Sequence, residues 1–472
     1  MDCRNTVSDF ITSHVKITMI ERIVILGAGE SGTGAAILAK AKGYDVFVSD
    51  QSAIKDHYKA ELNAHAIAFE EGVHSEEIIA NANLIIKSPG IPDKAEIIRK
   101  IKYKGIPVID ELEFGFRFLT GKVIAITGTN GKTTTTLLTY HLLKSAGFSV
   151  ALAGNVGESL ARKVAQGHHD WYVIEISSFQ LDGTTSFRPH IGILLNITPD
   201  HLDRYEYKMQ NYINSKFRLI QNMKADDYFI YYADDTVTGD EIGKRSITPA
   251  SIPVSLKSIS TLPVHFDGEM MSFSLDNASF KISQSDTTLK GPHNLINTMS
   301  AVAAVHWAGA SVDQIREGLK NFKNAPHRLE SVAVINGVEF VNDSKATNVD
   351  SVVYGLGSYN GPLIWIAGGI DKGNDYKLIE EEVKKKVRVL ICLGKENDKL
   401  RKAFGSVVSE IYETQSVKEL VQLALRVSKP EDVVLLSPAC ASFDLFKNYE
   451  DRGNQFRAAV LELKNEVEKA MV

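Results

Sequence analysis

Nine short runs of Val, Ile and Leu recur along the chain between stretches of helical periodicity, and they constrain the fold more than any other feature. The runs are ERIVILG (21–27), YDVFVSD (44–50), ANLIIKS (82–88), KVIAITG (122–128), WYVIEIS (171–177), IGILLNIT (191–198), LIWIAGG (363–369), RVLICLG (388–394) and DVVLLSP (432–438). Continuous apolar runs of this length are typical of strands buried on both faces of a parallel sheet. Their alternation with helices predicts an α/β architecture.

Glycine-containing turns follow these strands in three separate regions, at 27–34, 128–133 and 368–373. A chain of 472 residues has room for about three domains. We therefore predict three α/β domains in series, with a small antiparallel appendage at 234–290, where Ser/Thr-rich segments alternate in polarity. The predicted segments are an N-terminal extension (1–18), a Rossmann-like domain (19–112), a central P-loop-type domain (113–325) and a C-terminal Rossmann-like domain (326–472).

Composition excludes several functional classes. The chain is 44% apolar and 24% charged, as in soluble globular proteins, and its net charge of −5 disfavours nucleic acid as a ligand. Its first 18 residues lack the apolar core of a signal peptide, and no stretch offers 18 uncharged apolar residues, so we expect a cytoplasmic protein without membrane insertion. Cys3, Cys392 and Cys440 are far apart and lack zinc-ligand spacing, which favours a reduced compartment without disulfides.

The segment KVIAITGTNGKTTTT (122–136) runs from a strand into a glycine loop ending in Gly131-Lys132-Thr133. Backbone N–H groups in such a loop bind phosphate oxygens, the lysine reaches the β- and γ-phosphates, and the threonine hydroxyl ligates Mg²⁺. The full pattern requires glycine at the position of Ile126, so the loop is a shortened variant. The loop predicts ATP binding; the alternative is an ordinary strand-turn-helix corner.

A second glycine loop, Gly27-Ala28-Gly29-Glu30-Ser31-Gly32, fits G-x-G-x-x-G, and Asp50 ends the next strand. Read alone, this pattern indicates NAD. A glycine turn at a helix N-terminus binds any pyrophosphate, however, and a carboxylate at the second strand accepts ribose hydroxyls of any nucleotide. We favour a UDP-type ligand, with a dinucleotide cofactor and a purely structural turn as alternatives.

Two further strand ends of the central region carry polar side chains. Glu175 ends one strand, where a carboxylate can share Mg²⁺ with Thr133. The next strand exit, in LLNITPDHLDRY, crowds together Asn196, Asp200, His201, Asp203 and Arg204. Such clustering suits metal or phosphate chemistry. The alternatives are a surface carboxylate for Glu175 and a core or capping histidine for His201.

Six motifs together resemble the Mur ligases of peptidoglycan synthesis, and the resemblance covers the chain from about Met19 onward. They are GTNGKTT (128–134), EISSFQ (175–180), NITPDHLDRY (196–205), PHRLE (326–330), NDSKATN (342–348) and SPACASFDLFKNYEDRG (437–453). NDSKATN and SPACASFD look like the D-glutamate-adding branch of the family. Branches that add diaminopimelate or lysine would show a DNPR-type motif instead, and none is present in the sequence.

The resemblance implies an ATP-dependent amide ligase that joins D-glutamate to UDP-N-acetylmuramoyl-L-alanine through an acyl phosphate, with ATP and two Mg²⁺ ions; we expect a monomer. The implied catalytic residues are Lys132, His201, Lys216 and Lys345. The implied ATP contacts are Gly128, Thr129, Asn130, Gly131, Lys132, Thr133, Thr134, Asn294, His327, Arg328 and Asp343. The implied metal ligands are Thr133, Glu175, His201 and Lys216, the last in carbamylated form; from the residues alone, a helical lysine such as Lys216 would be a solvated side chain.

The resemblance also implies two further substrate sites. For the UDP substrate they comprise Gly29, Ser31, Gly32, Thr33, Asp50, Ser88, Gly90, Asn155, Ser177 and Gln180. For D-glutamate they comprise Thr347, Lys372, Ser442, Phe443 and Tyr449, although core packing is an equal alternative for the two aromatic residues. The sequence departs from the family at Tyr232, where Asn is expected on the nucleotide side. Three rival classes are a folylpolyglutamate synthase, a nicotinamide-dependent dehydrogenase and a non-catalytic ATP-gated binding module.

Overall fold

The structure, a computed structural model, describes residues 22–276, 278–289 and 291–470; the predicted extension at 1–18 and Cys3 lie outside these residues. The strands are β1 (Arg22–Leu26), β2 (Asp45–Asp50), β3 (Ala68–Glu71), β4 (Leu84–Lys87), β5 (Val108–Asp110), β6 (Lys122–Thr127), β7 (Val150–Gly154), β8 (Trp171–Glu175), β9 (Ile191–Leu194), β10 (Tyr228–Tyr232), β11 (Ala250–Ser255), β12 (Val264–Phe266), β13 (Met270–Leu275), β14 (Ala278–Ser283), β15 (Glu330–Ile335), β16 (Val338–Asn342), β17 (Leu363–Ala367), β18 (Val387–Leu393), β19 (Glu410–Thr414) and β20 (Val433–Leu436). The helices are α1 (Glu30–Ala41), α2 (Asp56–Ala64), α3 (Glu76–Ala80), α4 (Glu96–Tyr103), α5 (Glu111–Arg117), α6 (Lys132–Ser145), α7 (Leu160–Gln166), α8 (Ser178–Asp182), α9 (Met209–Phe217), α10 (Thr236–Ile242), α11 (Pro292–Trp307), α12 (Val312–Asn321), α13 (Val349–Gly357), α14 (Lys377–Lys386), α15 (Asp398–Phe404), α16 (Val417–Val427) and α17 (Tyr449–Ala470).

All nine apolar runs contain strands, and the strands form three sheets. The sheet orders are β3-β2-β1-β4-β5, then β14-β13-β12-β11-β10-β9-β6-β8-β7, and finally β15-β16-β20-β17-β18-β19. The predicted fold of three α/β domains is therefore confirmed. The domain bounds near 112 and 325 stay predictions.

One compact unit contains the first sheet and, of the described residues, spans 22–120, 153–168 and 179–187. Its strands are all parallel. Glu113 fixes the segment 179–187 in this unit, because its carboxylate accepts hydrogen bonds from the backbone N–H groups of Thr185, Ser186 and Phe187. Burial alone would raise the pKa of Glu113, but the bonds from Ser186 and Thr185 outweigh burial and lower it to about 2.

The second unit contains the other two sheets. In the nine-stranded sheet, β13 pairs antiparallel with β12 and β14, which confirms the predicted appendage, while β11 pairs parallel with β10 and β12. The appendage therefore continues the central sheet. Its apolar residues bury a face against α11, because both belong to one core that includes Val264, Phe273 and Val302.

In the six-stranded sheet, only the β15–β16 pair is antiparallel, so β16, β20, β17, β18 and β19 end at one edge. Ligands of open α/β sheets bind at the carboxyl ends of such strands. Arg452, almost wholly buried, ties the loops at this edge together by donating to Ser344 O at 2.8 Å and to Cys440 O at 3.2 Å. Cys392 and Cys440 are both buried free thiols.

Among the described residues, the structure contains no helix that is both long enough and apolar enough to cross a membrane.

Candidate functional site

The loop between β6 and α6 has the backbone of an anion-binding turn. Gly131, the N-cap of α6, has φ 85°, and a Cβ there would lie 2.5 Å from Asn297 Oδ1. Glycine is required on both counts. The loop is held by Asn196, whose backbone O accepts from Thr129 N at 2.9 Å and whose Oδ1 accepts from Asn130 N at 2.8 Å.

Lys132 folds back over this loop. Its Nζ donates to Gly128 O at 2.8 Å and to Thr129 O at 2.7 Å. Burial lowers the pKa of Lys132, and the negative charges of Glu175 and Asp200 oppose that shift. The predicted residues Gly128 to Thr134 are therefore brought together at one helix N-terminus, where phosphate binding is favoured.

Lys216 is buried, although a helical lysine would be solvated by default. It lies near the end of α9 with 1% of its surface exposed. Its Nζ donates to Gly128 O at 2.8 Å and to Thr127 Oγ1 at 3.1 Å. The structure thus brings Lys216 to the start of the phosphate loop, 88 residues earlier in the chain. Sequence periodicity alone did not predict that Lys216 would be buried.

Glu175 and His201 differ in their surroundings. Glu175 is buried at the end of β8, and its charge acts on the cations Lys132, Arg328 and Lys345. The His201 side chain is 55% exposed, with its Nε2 3.6 Å from Asp200 Oδ2, so it is not a core histidine. In the described part of the chain, no three His, Cys, Asp or Glu side chains are grouped for metal binding.

A cleft in the second unit, called the central cleft here, combines residues from the phosphate loop, α11 and the segment following α12. It is lined by Asn130, Gly131, Thr134, His293, Asn294, Asn297, Asn324, Arg328, Leu329, Asp343, Lys345, Ala346, Ser351, Tyr354 and Gly355. Six predicted ATP contacts and the predicted catalytic Lys345 are among them. Predicted residue His327 lies outside this lining and packs edge-on against Tyr449 at 6.4 Å.

Arg328 joins the two sides of the central cleft. Its Nη2 donates to Thr133 Oγ1 at 3.0 Å, while its buried Nε has no hydrogen-bond partner. Burial raises the pKa of the cleft residue Asp343 to about 7, against the opposing effects of Ser437 and Arg328. Burial likewise lowers the pKa of Lys345 to about 8, with the charge of Arg328 adding to the shift. The cleft therefore gathers cations beside the phosphate loop.

Sequence reasoning missed His293 and Tyr354 in the central cleft. Their ring centroids are 5.1 Å apart, and burial lowers the pKa of His293 to about 4, so its imidazole is neutral near pH 7. The Nδ1 of His293 is buried without a hydrogen-bond partner. His293 adjoins Asn294 in GPHNLIN, a signal that was available. Tyr354 carried none, because helix α13 brings it to the cleft only in the folded chain.

The five residues predicted for D-glutamate follow strands that end at one edge of the C-terminal sheet. Thr347 follows β16, Lys372 follows β17, Ser442 and Phe443 follow β20, and Tyr449 begins α17. Phe443 is 65% exposed, which excludes core packing for this side chain. The Nζ of Lys345 lies over the Tyr449 ring at 5.2 Å. The topology brings these loops to the ligand-binding edge of a parallel sheet.

In the first unit, several of the residues predicted for the UDP substrate form or contact the N-terminal glycine loop. Gly32 has no room for a side chain, because a Cβ would lie 1.7 Å from Gly27 O. Asp50 accepts from Ala28 N at 2.7 Å, and Ser88 Oγ donates to Gly27 O at 3.5 Å. Asp50 thus shapes the loop itself, as does the buried Thr33, whose Oγ1 donates to Ala28 O.

The remaining UDP-substrate predictions come from scattered positions. Nothing lies within 4 Å of a Cβ built at Gly29 or Gly90, so both backbones are open to a ligand. Ser31 lies in the first turn of α1, Asn155 is exposed after β7, and Gln180 is buried in α8. Ser177 belongs to the second unit.

Three domain families match successive parts of the chain. The Mur ligase MurD-like N-terminal domain matches residues 21–110, the Mur ligase middle domain matches 126–305, and the Mur ligase glutamate ligase domain matches 327–440.

Curated relatives align along nearly the whole chain. The UDP-N-acetylmuramoylalanine--D-glutamate ligase of Cytophaga hutchinsonii is 53% identical over 448 residues, covering 94% of this chain and 100% of the relative. The ligase of the same name from Bacteroides thetaiotaomicron is 50% identical over 446 residues, with the same coverage.

Two solved structures share the fold at low identity. The pseudomurein peptide ligase type C from Methanothermus fervidus has a TM-score of 0.61 at 20% identity, and UDP-N-acetylmuramate-alanine ligase MurC from Thermotoga maritima has 0.60 at 18%. Each covers 94% of this chain and is itself covered over 100% of its length.

Proposed function

We propose that this chain, which belongs to the Mur ligase family, joins D-glutamate to UDP-N-acetylmuramoyl-L-alanine in peptidoglycan synthesis, using ATP. The observation that carries the proposal is the full-length similarity to ligases of that name, at 53% and 50% identity. The reaction is an acid–amino-acid ligation. The γ-phosphoryl group of ATP is transferred to the alanyl carboxylate, which releases ADP and gives an acyl phosphate. The amine of D-glutamate then attacks the acyl carbon, and the amide forms as phosphate leaves and the amine loses a proton.

In this proposal, the central cleft binds ATP. The N–H groups of the phosphate loop face the phosphates, and Lys132 turns from Gly128 O and Thr129 O to the β- and γ-phosphates. Arg328 and Lys345 add positive charge from the opposite side of the cleft. Fixed cations in a water-poor site stabilise the charge that develops on the transferring phosphoryl group.

Magnesium fits the residues beside the phosphate loop. The hydroxyl of Thr133 and the buried carboxylate of Glu175 are oxygen donors of the kind Mg²⁺ prefers. Lys216 would join them only as a carbamate, because its ammonium donates to Gly128 O and has no lone pair for a metal. His201 is the fourth proposed ligand. When bound, the metal neutralises phosphate charge.

The remaining two substrates are proposed to bind at sheet edges. The glycine loop at 27–34 would hold the UDP diphosphate, with Asn155 and Gln180 at the muramoyl-alanine end. Lys372, Thr347 and Ser442 would bind the two carboxylates of D-glutamate, since cations, hydroxyls and backbone N–H groups are suitable carboxylate partners. We also infer that the protein acts in the cytoplasm. We infer a monomer because one chain supplies residues for all three ligands.

The test is ADP release with UDP-N-acetylmuramoyl-L-alanine against a panel of amino acids. We expect release with D-glutamate, and far slower release with L-glutamate, lysine or diaminopimelate. Binding of NAD(P) without UDP-substrate turnover would favour a dehydrogenase. Phosphate release without both substrates would favour an ATP-gated binding module, and turnover with a folate substrate a folylpolyglutamate synthase.

In the proposed complex the adenine base of ATP stacks on the Tyr354 ring, which lines the central cleft. Replacing Tyr354 by Ala should therefore raise KM for ATP about tenfold, because stacking on an aromatic ring contributes about 1–3 kcal/mol per base. KM for the UDP substrate should change less than twofold. The measurement is steady-state kinetics with each substrate varied in turn. Tyr354→Phe is the matched control: it keeps the ring and should stay within twofold of the parent. An unchanged KM for ATP in Tyr354→Ala would place the base elsewhere.

Above about pH 8, kcat/KM for ATP should fall tenfold per pH unit. The pKa of Lys345 is lowered to about 8 by burial and by Arg328, so the amine loses its proton, and its charge, as pH rises through that value. kcat/KM reports the ionisation of the free enzyme. Lys345→Arg keeps its charge at high pH and should abolish the fall. Persistence of the fall in Lys345→Arg would assign it to another group, such as Lys132, whose pKa burial also lowers.

A further inference from the structure

The carboxylate of Glu30 makes contacts that extend well beyond its own glycine loop. Glu30 is the first residue of α1 and follows Gly29. Its Oε1 accepts from Ser159 N at 2.9 Å and from Arg162 Nε at 2.8 Å, and its Oε2 accepts from Arg162 Nη2 at 3.0 Å. A bidentate ion pair and a backbone hydrogen bond therefore join the glycine loop to the first turn of α7, within the first unit.

Arg162 is fixed between two carboxylates. Its side chain is 11% exposed, and its Nη1 pairs with Glu61 Oε2. Burial alone would lower the pKa of Arg162, but the bonds to Glu30 and Glu61 raise it above the usual value. A guanidinium that is paired with carboxylates on two sides has little freedom to move.

The helices on either side of this ion pair are in close contact. A Cβ at Gly34 of α1 would lie 2.0 Å from Ser159 Oγ and 3.0 Å from Arg162 Cβ. A second carboxylate, Glu111 Oε1, accepts from Ala161 N at 2.6 Å. The N-terminus of α7 is thus anchored at the backbone N–H groups of its N-cap Ser159 and of Ala161, which donate to side-chain oxygens of Glu30 and Glu111.

The loop that carries Asn155 ends at this anchored turn. Gly154 N donates to Glu158 O at 2.9 Å, which closes the loop on itself, and Ser159 follows directly. Gly154 and Gly157 both have positive φ. A loop with two such glycines is conformationally permissive, so a fixed end at Ser159 restricts where Asn155 can lie.

We propose that Glu30 is a positioning residue that couples the two ends of the UDP-substrate site. Through Ser159 and Arg162 it holds the loop of Asn155 in register with the glycine loop that binds the diphosphate. The inference rests on the proposed function, which assigns the diphosphate and muramoyl-alanine ends to these loops. In the proposed reaction, Glu30 itself does not contact the alanyl carboxylate or the amine of D-glutamate.

Glu30→Gln tests the proposal, because glutamine keeps the shape of the side chain and loses its charge. The dissociation constant of UDP-N-acetylmuramoyl-L-alanine, measured by calorimetry, should rise about tenfold, while that of UDP alone should change less than twofold. Glu61→Gln is the matched control, since it also removes a carboxylate from Arg162 but does not contact Ser159; it should leave both constants within twofold. Equal weakening of both ligands, or the same selective effect in Glu61→Gln, would overturn the proposal.

A double-mutant cycle with Asn155→Ala tests whether Glu30 affects binding of the UDP substrate through the loop that carries Asn155. If Glu30 acts through the loop, Glu30→Gln should add less than twofold weakening in the Asn155→Ala background. Full additivity would refute coupling. Arg162→Lys keeps the charge but loses the bidentate fork, so it should weaken binding of UDP-N-acetylmuramoyl-L-alanine, but not of UDP alone, by less than Glu30→Gln does. This variant replaces Glu30→Gln in the test if Glu30→Gln fails to fold. If Arg162→Lys weakened neither ligand, or both equally, that result would also contradict the proposal. Absence of UDP-substrate binding by the unaltered chain would instead refute the proposed function.

Discussion

Lys132→Ala should lower kcat by about 10³-fold or more while leaving the affinity for UDP-N-acetylmuramoyl-L-alanine within twofold. Lys132 is the half-buried cation of the phosphate loop, and its Nζ is within 2.8 Å of two loop carbonyls. Removing one preorganised electrostatic donor typically costs about 10²–10³ in rate. The loss should be at the upper end here, because the same cation also orders the loop. ADP release and calorimetric titration measure the two quantities.

Lys144→Ala is the matched control for that experiment. Lys144 lies near the end of the same helix α6 and is exposed, with its Nζ over the Tyr140 ring at 5.5 Å. It should retain full activity, which would show that the effect is local to the loop and not a consequence of altered helix charge. Substantial ligase activity in Lys132→Ala would refute the role proposed for this lysine.

Arg328→Ala should lower kcat/KM for ATP by about 10²-fold or more. The guanidinium donates to Thr133 Oγ1 at 3.0 Å, and Arg328 lines the central cleft. A buried charge contributes strongly to phosphoryl transfer because water does not screen it. The substitution should also raise the pKa of Asp343 further, since Arg328 is one of the charges that hold it down. Asp343 would then be protonated near neutral pH.

Two variants bracket the expected effect of Arg328. Arg328→Lys keeps the charge but not the fork, so its loss should be smaller than that of Arg328→Ala. Arg316→Ala removes a surface arginine of α12, whose side chain is 45% exposed, and should be silent. Calorimetric titration with ATP measures binding apart from turnover. Undiminished kcat/KM for ATP in Arg328→Ala would mean that the triphosphate does not approach this side of the central cleft.

The fold was predictable because its signals are local. Each of the nine apolar runs contains a strand, and the segment 234–290 contains the predicted antiparallel hairpin. What the pattern missed is the parallel pairing of β11 with β10. A half-buried strand alternates in polarity whether its neighbours run parallel or antiparallel, so alternation does not distinguish the two.

The residues of the candidate site that belong to sequence motifs were predictable, whereas those that tertiary packing brings to the site were not. Gly131 and Lys132 follow from the loop pattern, since their spacing fixes their chemistry. Tyr354 was not foreseen, and the burial of Lys216 contradicts the default for a helical lysine. No sequence periodicity predicts the position of Tyr354 or the burial of Lys216, because each depends on which element packs against the helix that carries the residue.

By itself the sequence determined the α/β class, the two glycine loops and, through the family motifs, the ligase chemistry, because each is written in residues that are neighbours along the chain. Only the tertiary structure decided how distant residues meet. Arg328 contacts Thr133 across 195 residues, and Glu30 contacts Arg162 across 132. Such contacts arise when separate loops and helices converge at the ends of parallel strands, and a side chain carries no local signal of the partner that it will meet there.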